Sequence, residues 1–213
     1  MRNPHYFEAI LDYSEKMTSP TSDVLHQLER ETHLKMLSPQ MVCGFHMGRF
    51  LSMVSQLKQP KCIVEFGTFT GYATFCLLEG LQDDGVIHTF EVNPETCWLF
   101  DKYKQVLDPE FQIIQHLEDG LKAYPNMNLQ PDLVWIDAGK KSNLDLFNIV
   151  LPTMKAGGII MVDNTLWSGK VLDQEKDAHT QIIHEFNQRL VNSNLLQTFF
   201  VPIRDGMTLS IVK

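Results

Sequence analysis

The sequence predicts an α/β fold, a mostly parallel sheet with helices on both faces and a helical cap at its N-terminal end. Three observations predict it. The first 60 residues read as helices. From Lys61 onward, short apolar runs alternate with helix-like stretches, the rhythm of a parallel sheet covered on both faces. The chain then closes on two apolar runs joined by "RDG", a hairpin turn that makes one late strand antiparallel.

Each element follows in order. "TSDVLHQLERETHLKML" begins just after Ser19-Pro20 and places Val24, Leu25, Leu28, Leu34 and Leu37 roughly at helical spacing. "PQMVCGFHMGRFLSMVSQL" is a second helix, with Met41 to Gly44 as an irregular lead-in. "KCIVEF" is the first strand, and "GTFTGYATFCLLEGL" turns from it into a helix. "GVIHTFEV" is a strand, and "NPETCWLFDKYKQVL" is a helix opened by Asn-Pro. "FQIIQHL", "DLVWID" and "GGIIMVD" are strands, followed respectively by "EDGLKAY", "SNLDLFNIVLPTM" and the helix "AHTQIIHEFNQRL". "LQTFFVPI" and "GMTLSIVK" form the closing hairpin. Trp98, Phe100 and Tyr103 are expected in the core or beside a bound cofactor.

A chain of 213 residues fits one large domain. No linker separates the cap (1–60) from the sheet (61–213), so 1–213 is read as a single domain. A net charge of -8 argues against a broad nucleic-acid footprint. Cys43, Cys62, Cys76 and Cys97 are widely spaced, as free thiols of a reducing compartment are. His46, His88, His116, His179 and His184 show no ligand spacing and read as surface or interface residues. The N-terminus lacks a signal-peptide core, and no apolar run approaches the roughly 20 residues of a membrane span. The expectation is a cytoplasmic protein that binds neither membrane nor nucleic acid.

In such a sheet, ligands bind beyond the carboxyl ends of the strands, and the chemistry-bearing residues fall there. Glu65-Phe-Gly67-Thr-Phe-Thr70-Gly71 is a glycine turn after the first strand, where backbone can approach a ligand closely. It matches neither pyrophosphate nor triphosphate motifs. Glu91 ends the second strand at the spacing of an acid that accepts both ribose hydroxyls of an adenosine, as in NAD or S-adenosylmethionine sites. Asp119, with Glu118 as a competitor, is placed near an adenine. Asp137 ends the fourth strand and Asp163-Asn164 end the fifth, so three oxygen donors can converge on Mg²⁺, with Ca²⁺ or Mn²⁺ as alternatives. Lys140 lies within one turn of Asp137 as a candidate base, with Lys141 beside it. Trp167, just beyond the Asp-Asn pair, is expected to wall a substrate pocket.

"VEFGTFTGYATF", "FEVNPET", "VWIDAGK", "GGIIMVDNTLWSGKV" and "VPIRDGMTLS" together resemble the cation-dependent O-methyltransferases, among them the catechol and caffeoyl-CoA enzymes and their bacterial relatives. The resemblance runs from about Thr21 to the C-terminus. It implies a class I methyltransferase (Rossmann-like) sheet of seven strands, S-adenosylmethionine, a divalent cation, a small phenolic acceptor and a homodimer. The N-terminal helices and the apolar "LLQTFFVPI" run are the expected self-association surfaces. By position, Asp137, Asp163 and Asn164 match the family's metal ligands, Lys140 its catalytic lysine and Glu91 its ribose-binding acid. Glu65, Gly67, Thr70, Gly71, Tyr72 and Ala73 fall in the methionine-side loop. Cys43 falls in the segment that covers the cofactor, and Asp137 also borders it. Ala73 stands where the family often has serine, Gly139 where relatives have a second aspartate, and Thr208 where the catechol enzyme grips a hydroxyl with glutamate. The expected activity is O-methylation of a catechol- or phenylpropanoid-like vicinal diol. The rivals are an NAD-dependent oxidoreductase on the same sheet, and a cofactor-binding protein whose catalytic site has decayed at Ala73 and Gly139.

Overall fold

The computed structural model describes residues 5–139 and 142–213. Three helices precede the sheet: α1 (His5–Lys16), α2 (Asp23–Lys35) and α3 (Gly44–Lys58). Ser22 sets the start of α2, its side-chain oxygen accepting the Leu25 N–H at 3.3 Å. A single 3₁₀ turn at Pro39–Met41 and the left-handed Gly44 form the irregular lead into α3. The sheet elements follow as β1 (Cys62–Phe66), α4 (Tyr72–Leu78), β2 (Val86–Phe90), α5 (Cys97–Leu107), β3 (Ile113–His116), α6 (Gly120–Ala123) and β4 (Leu133–Ile136). The remainder is α7 (Asn143–Val150), β5 (Ile159–Asp163), α8 (Ala178–Val191), β6 (Leu196–Val201) and β7 (Met207–Val212). Asp177 caps α8 by accepting the Thr180 N–H at 2.8 Å.

The seven strands form one sheet in the order β3-β2-β1-β4-β5-β7-β6. β7 runs antiparallel to both neighbours, and the pairs among β1 to β5 are parallel. Strand side chains alternate between two cores. Ile63, Ile87, Leu133, Trp135 and Met161 pack with α2 to α5, where Leu28, Met47, Leu51, Phe75, Leu99 and Phe100 are buried. Val64, Phe66, Val134, Ile136, Ile160 and Val162 pack against Leu146, Phe147 and Val150 of α7 and Phe186 and Leu190 of α8. The "LLQTFFVPI" run supplies β6, an edge strand, with Leu195 and Phe199 exposed. Among the described residues no helix is long and apolar enough to cross a membrane.

Sheet order and register create the site. After β3 the chain returns to the other side of β1, so the order reverses between β1 and β4, where a crevice opens beyond the strand ends. Phe90, Phe66, Ile136 and Val162 lie abreast in the ladder. The residues that follow them, Glu91, Gly67, Asp137 and Asp163, therefore emerge side by side.

Candidate active site

A cavity of about 620 Å³ sits over these strand ends. Of the sequence-predicted residues, Cys43, Gly67, Thr70, Tyr72, Ala73, Glu91, Asp119, Asp137, Asp163 and Asn164 all line it.

At one end, close backbone approach dictates Gly67. It has φ 103°, and a Cβ there would lie 2.2 Å from the Asp137 carbonyl oxygen. No L side chain fits, so this glycine lets β1 and β4 end in contact. Its N–H and that of Thr68 donate to the Phe90 carbonyl at 2.9 and 3.2 Å, tying the turn to β2. Glu91 is held by backbone: Oε2 accepts the Phe69 N–H at 2.7 Å, and Oε1 accepts those of Val92 and Asn93 at 2.9 and 2.8 Å. These bonds fix the carboxylate in place before any ligand arrives. Phe66 and Phe90, stacked with centroids 5.1 Å apart, line the same end as an aromatic wall. Asp119 and Glu118 both border it, and Asp119 also caps α6 by accepting the Leu121 N–H at 3.0 Å.

Glu65 lies fully buried outside the cavity lining. Its Oε2 accepts hydrogen bonds from the Thr74 hydroxyl and, at 2.6 Å, the Thr89 hydroxyl, which in turn pairs with Thr68 of the lining at 2.6 Å. Its Oε1 has no hydrogen-bond partner among the described residues. Burial pushes the carboxyl up to about 7, against the pull of Thr74 and Thr89, and the charge of Glu91 adds to the rise. Thr70, also buried, accepts a hydrogen bond from Thr32 of α2 at 3.0 Å. Gly71 lies beneath the loop, against Phe100, rather than in the lining.

After β4 and β5 stand Asp137, Asp163 and Asn164. Asn164 has φ 61°, a left-handed conformation that Asn tolerates better than most residues. Its N–H donates to Asp163 Oδ1 at 2.8 Å, and Asn143 Nδ2 donates to the Asp163 carbonyl at 3.3 Å. The next residues are bolted to the β6–β7 hairpin: Thr165 N–H to the Gly206 carbonyl at 2.9 Å, Leu166 N–H to the Asp205 carbonyl at 2.7 Å, and Ser168 N–H to the Asp205 carboxylate. Among the described residues no three His, Cys, Asp or Glu side chains cluster at metal-ligand spacing. The candidate set is two carboxylates and an amide, which suits a hard cation such as Mg²⁺ and not zinc.

Some expected residues lie elsewhere. Thr208 is fully buried in β7, opposite Val162 and Phe200, and does not line the cavity, because the alternation of that strand turns it to the same buried face as Val162. Trp167 is half-buried in the loop after Asn164, with φ 56°, and is also absent from the lining. Trp98 is 48% exposed, with the Lys35 ammonium 5.5 Å from its ring centre, so it belongs to the surface, whereas Phe100 and Tyr103 are buried. Lys140 and Lys141 lie outside the described residues.

The structure also reveals neighbours that the sequence did not. His88 Nδ1 and His116 Nε2 meet at 3.1 Å across β2 and β3, and burial pulls both imidazoles below their usual range. Arg204, at the hairpin turn, lines the cavity and donates to the Val42 carbonyl at 2.6 Å and the Gln40 carbonyl at 3.4 Å. That contact spans 162 residues, and no local pattern announces it.

Comparison with known proteins agrees with this architecture. An O-methyltransferase family model matches residues 15–213. The catechol O-methyltransferase of Niastella koreensis is 28% identical over 98% of this chain and 96% of its own length. Caffeoyl-CoA O-methyltransferase 1 of Nicotiana tabacum is 30% identical over 76% of this chain and 73% of its own. Among solved structures, a Podospora anserina methyltransferase with S-adenosylhomocysteine bound superposes with TM-score 0.89 at 19% identity, covering 100% of this chain and 97% of that one. The O-methyltransferase TomG of Streptomyces achromogenes, in complex with S-adenosylmethionine, gives TM-score 0.87 at 22% identity with both chains covered in full. These structural likenesses share the seven-stranded fold, and the match of the family model across nearly the whole sequence adds the chemistry: the chain is an enzyme that belongs to the O-methyltransferase family.

Proposed function

We propose that the enzyme transfers a methyl group from S-adenosylmethionine to one hydroxyl of a small aromatic vicinal diol, with a divalent cation, Mg²⁺ before Ca²⁺ or Mn²⁺, as cofactor. The observation that carries this is the order along one cavity: Glu91, Gly67, Asp137 and Asp163 emerge side by side, with the acid that follows β2 on one flank and the oxygen donors Asp163 and Asn164 on the other. The residues fit both groups. The Glu91 carboxylate suits a ribose diol, and the Phe66–Phe90 wall suits a purine. When bound, S-adenosylmethionine supplies the electrophilic methyl group, and the cation supplies Lewis acidity that favours a phenolate. Asp137, Asp163 and Asn164 would hold the cation and so orient the diol, while Gly67 and Glu91 fix the cofactor. Positioning of two bound reactants provides much of the acceleration. Lys140 is assigned as the base that takes the hydroxyl proton, on the sequence match alone.

An NAD-dependent oxidoreductase would use Glu91 and the turn but leaves the acid–amide set without a role. A decayed binding protein would keep cofactor affinity without turnover. Glu91→Ala is expected to weaken S-adenosylmethionine binding roughly tenfold or more, since a hydrogen bond to a charged group is worth about 1.5–3 kcal/mol. Calorimetry with S-adenosylmethionine and with NAD tests this. Unchanged affinity in the variant would move the ribose site elsewhere, and tight NAD binding would favour the oxidoreductase.

A further inference from the structure

We propose that Arg204 is a specificity-determining residue, and that the acceptor carries a carboxylate beside its vicinal diol, as a dihydroxyaryl acid does. This rests on the methyl-transfer reading above and narrows its substrate class.

Charge is the first argument. The described cavity lining contains the carboxylates of Glu91, Glu118, Asp119, Asp137 and Asp163, and Arg204 is its one cation among the described residues. None of the ion pairs found among the described residues includes Arg204. It is anchored instead on two neutral carbonyls, those of Val42 and Gln40. A guanidinium has five N–H donors in a fixed fork, so these two anchors orient it without neutralising it or exhausting its donors.

Placement is the second. Arg204 is exposed at the cavity mouth, in a left-handed turn with φ 51°. The next two residues, Asp205 and Gly206, hold the backbone of Thr165, Leu166 and Ser168, directly after the Asp163–Asn164 pair. The guanidinium and the oxygen donors are thus registered to each other through one short hairpin. Arg204, Asp137, Asp163 and Asn164 all line the same cavity. A diol held at Asp163 and Asn164 therefore has the guanidinium within the same chamber for its ring substituent. A planar carboxylate is the group that such a fork receives best. A neutral ester of the same shape gains nothing from the charge.

The test compares 3,4-dihydroxybenzoate with its methyl ester, in saturating S-adenosylmethionine and Mg²⁺ at neutral pH. The native enzyme is expected to prefer the acid in kcat/KM. In Arg204→Gln that preference should shrink roughly tenfold, the worth of one charge-assisted hydrogen bond, and Arg204→Lys should recover part of it. Calorimetry of dihydroxybenzoate with S-adenosylhomocysteine and Mg²⁺ present should show the same loss of affinity in the variant. Equal use of acid and ester by the native enzyme overturns the proposal. So does an equal fall for both substrates in Arg204→Gln, which would make the residue a strut for the Gln40–Cys43 segment. Methylation of neither, nor of catechol, would overturn the methyl-transfer reading itself, and the specificity of Arg204 with it.

Discussion

Asp163→Ala is expected to abolish cation-dependent turnover while S-adenosylmethionine still binds. The carboxylate ends β5, is only 6% exposed, and faces the same cavity as Asp137 and Asn164. Its loss removes one charged oxygen donor. It also frees the Asn164 N–H that Oδ1 accepts at 2.8 Å, and with it the left-handed turn that sets the amide. A bound metal contributes several kcal/mol to catalysis, and each 1.36 kcal/mol is tenfold in rate. A fall of roughly 100-fold or more in kcat/KM is therefore expected at a fixed Mg²⁺ concentration. The residues proposed to hold the cofactor, Gly67 and Glu91, follow β1 and β2, so affinity for S-adenosylmethionine should change little. Asp163→Asn separates charge from shape, since its side-chain oxygen can still accept the Asn164 N–H. Native activity in both variants would remove Asp163 from the metal set.

The second large effect is expected at Lys140. A general base contributes about 10²–10⁴-fold, so Lys140→Ala should lower kcat by that amount at saturating cofactor and Mg²⁺. Lys141→Ala should leave kcat within a few-fold of native. The preceding Gly139 has φ 102°, a conformation that residues with a side chain rarely adopt. A severe loss confined to Lys141→Ala would transfer the role to that neighbour. Mild, equal losses would mean that no lysine base is needed.

The strands were legible because their chemistry is local. Each apolar run between Lys61 and Lys213 formed a strand, and the "RDG" turn joined the two that close the sheet. Gly67, Glu91, Asp137 and Asp163 were legible for a related reason: parallel strands in register deliver the residues after them to one edge. What escaped depended on side-chain reach and strand order. Arg204 touches a segment 162 residues away. The His88–His116 contact requires β2 and β3 to be neighbours in a register that composition does not encode. Thr208 aligned with a substrate-gripping position, yet the pleat of β7 buries it. Trp98 was grouped with Phe100 and Tyr103 because all three are aromatic, but its place on α5 turns it outward. Glu65 matched the methionine-side loop by position, but the structure buries it within β1. Its hydroxyl network with Thr74 and Thr89, and the burial that pushes its carboxyl up to about 7, were not legible, since both depend on how α4 and β2 pack around it.

The central claim is that one cavity holds the methyl donor beside a cation-bound diol. The most direct test is product formation by the metal-stripped native enzyme with S-adenosylmethionine and a panel of catechols, before and after Mg²⁺ is restored. The expected result is a mono-O-methylated product that vanishes in excess chelator and returns with Mg²⁺, while S-adenosylmethionine affinity by calorimetry persists in chelator. Methylation at an undiminished rate in chelator, or no methylated product with Mg²⁺ present, would contradict the account.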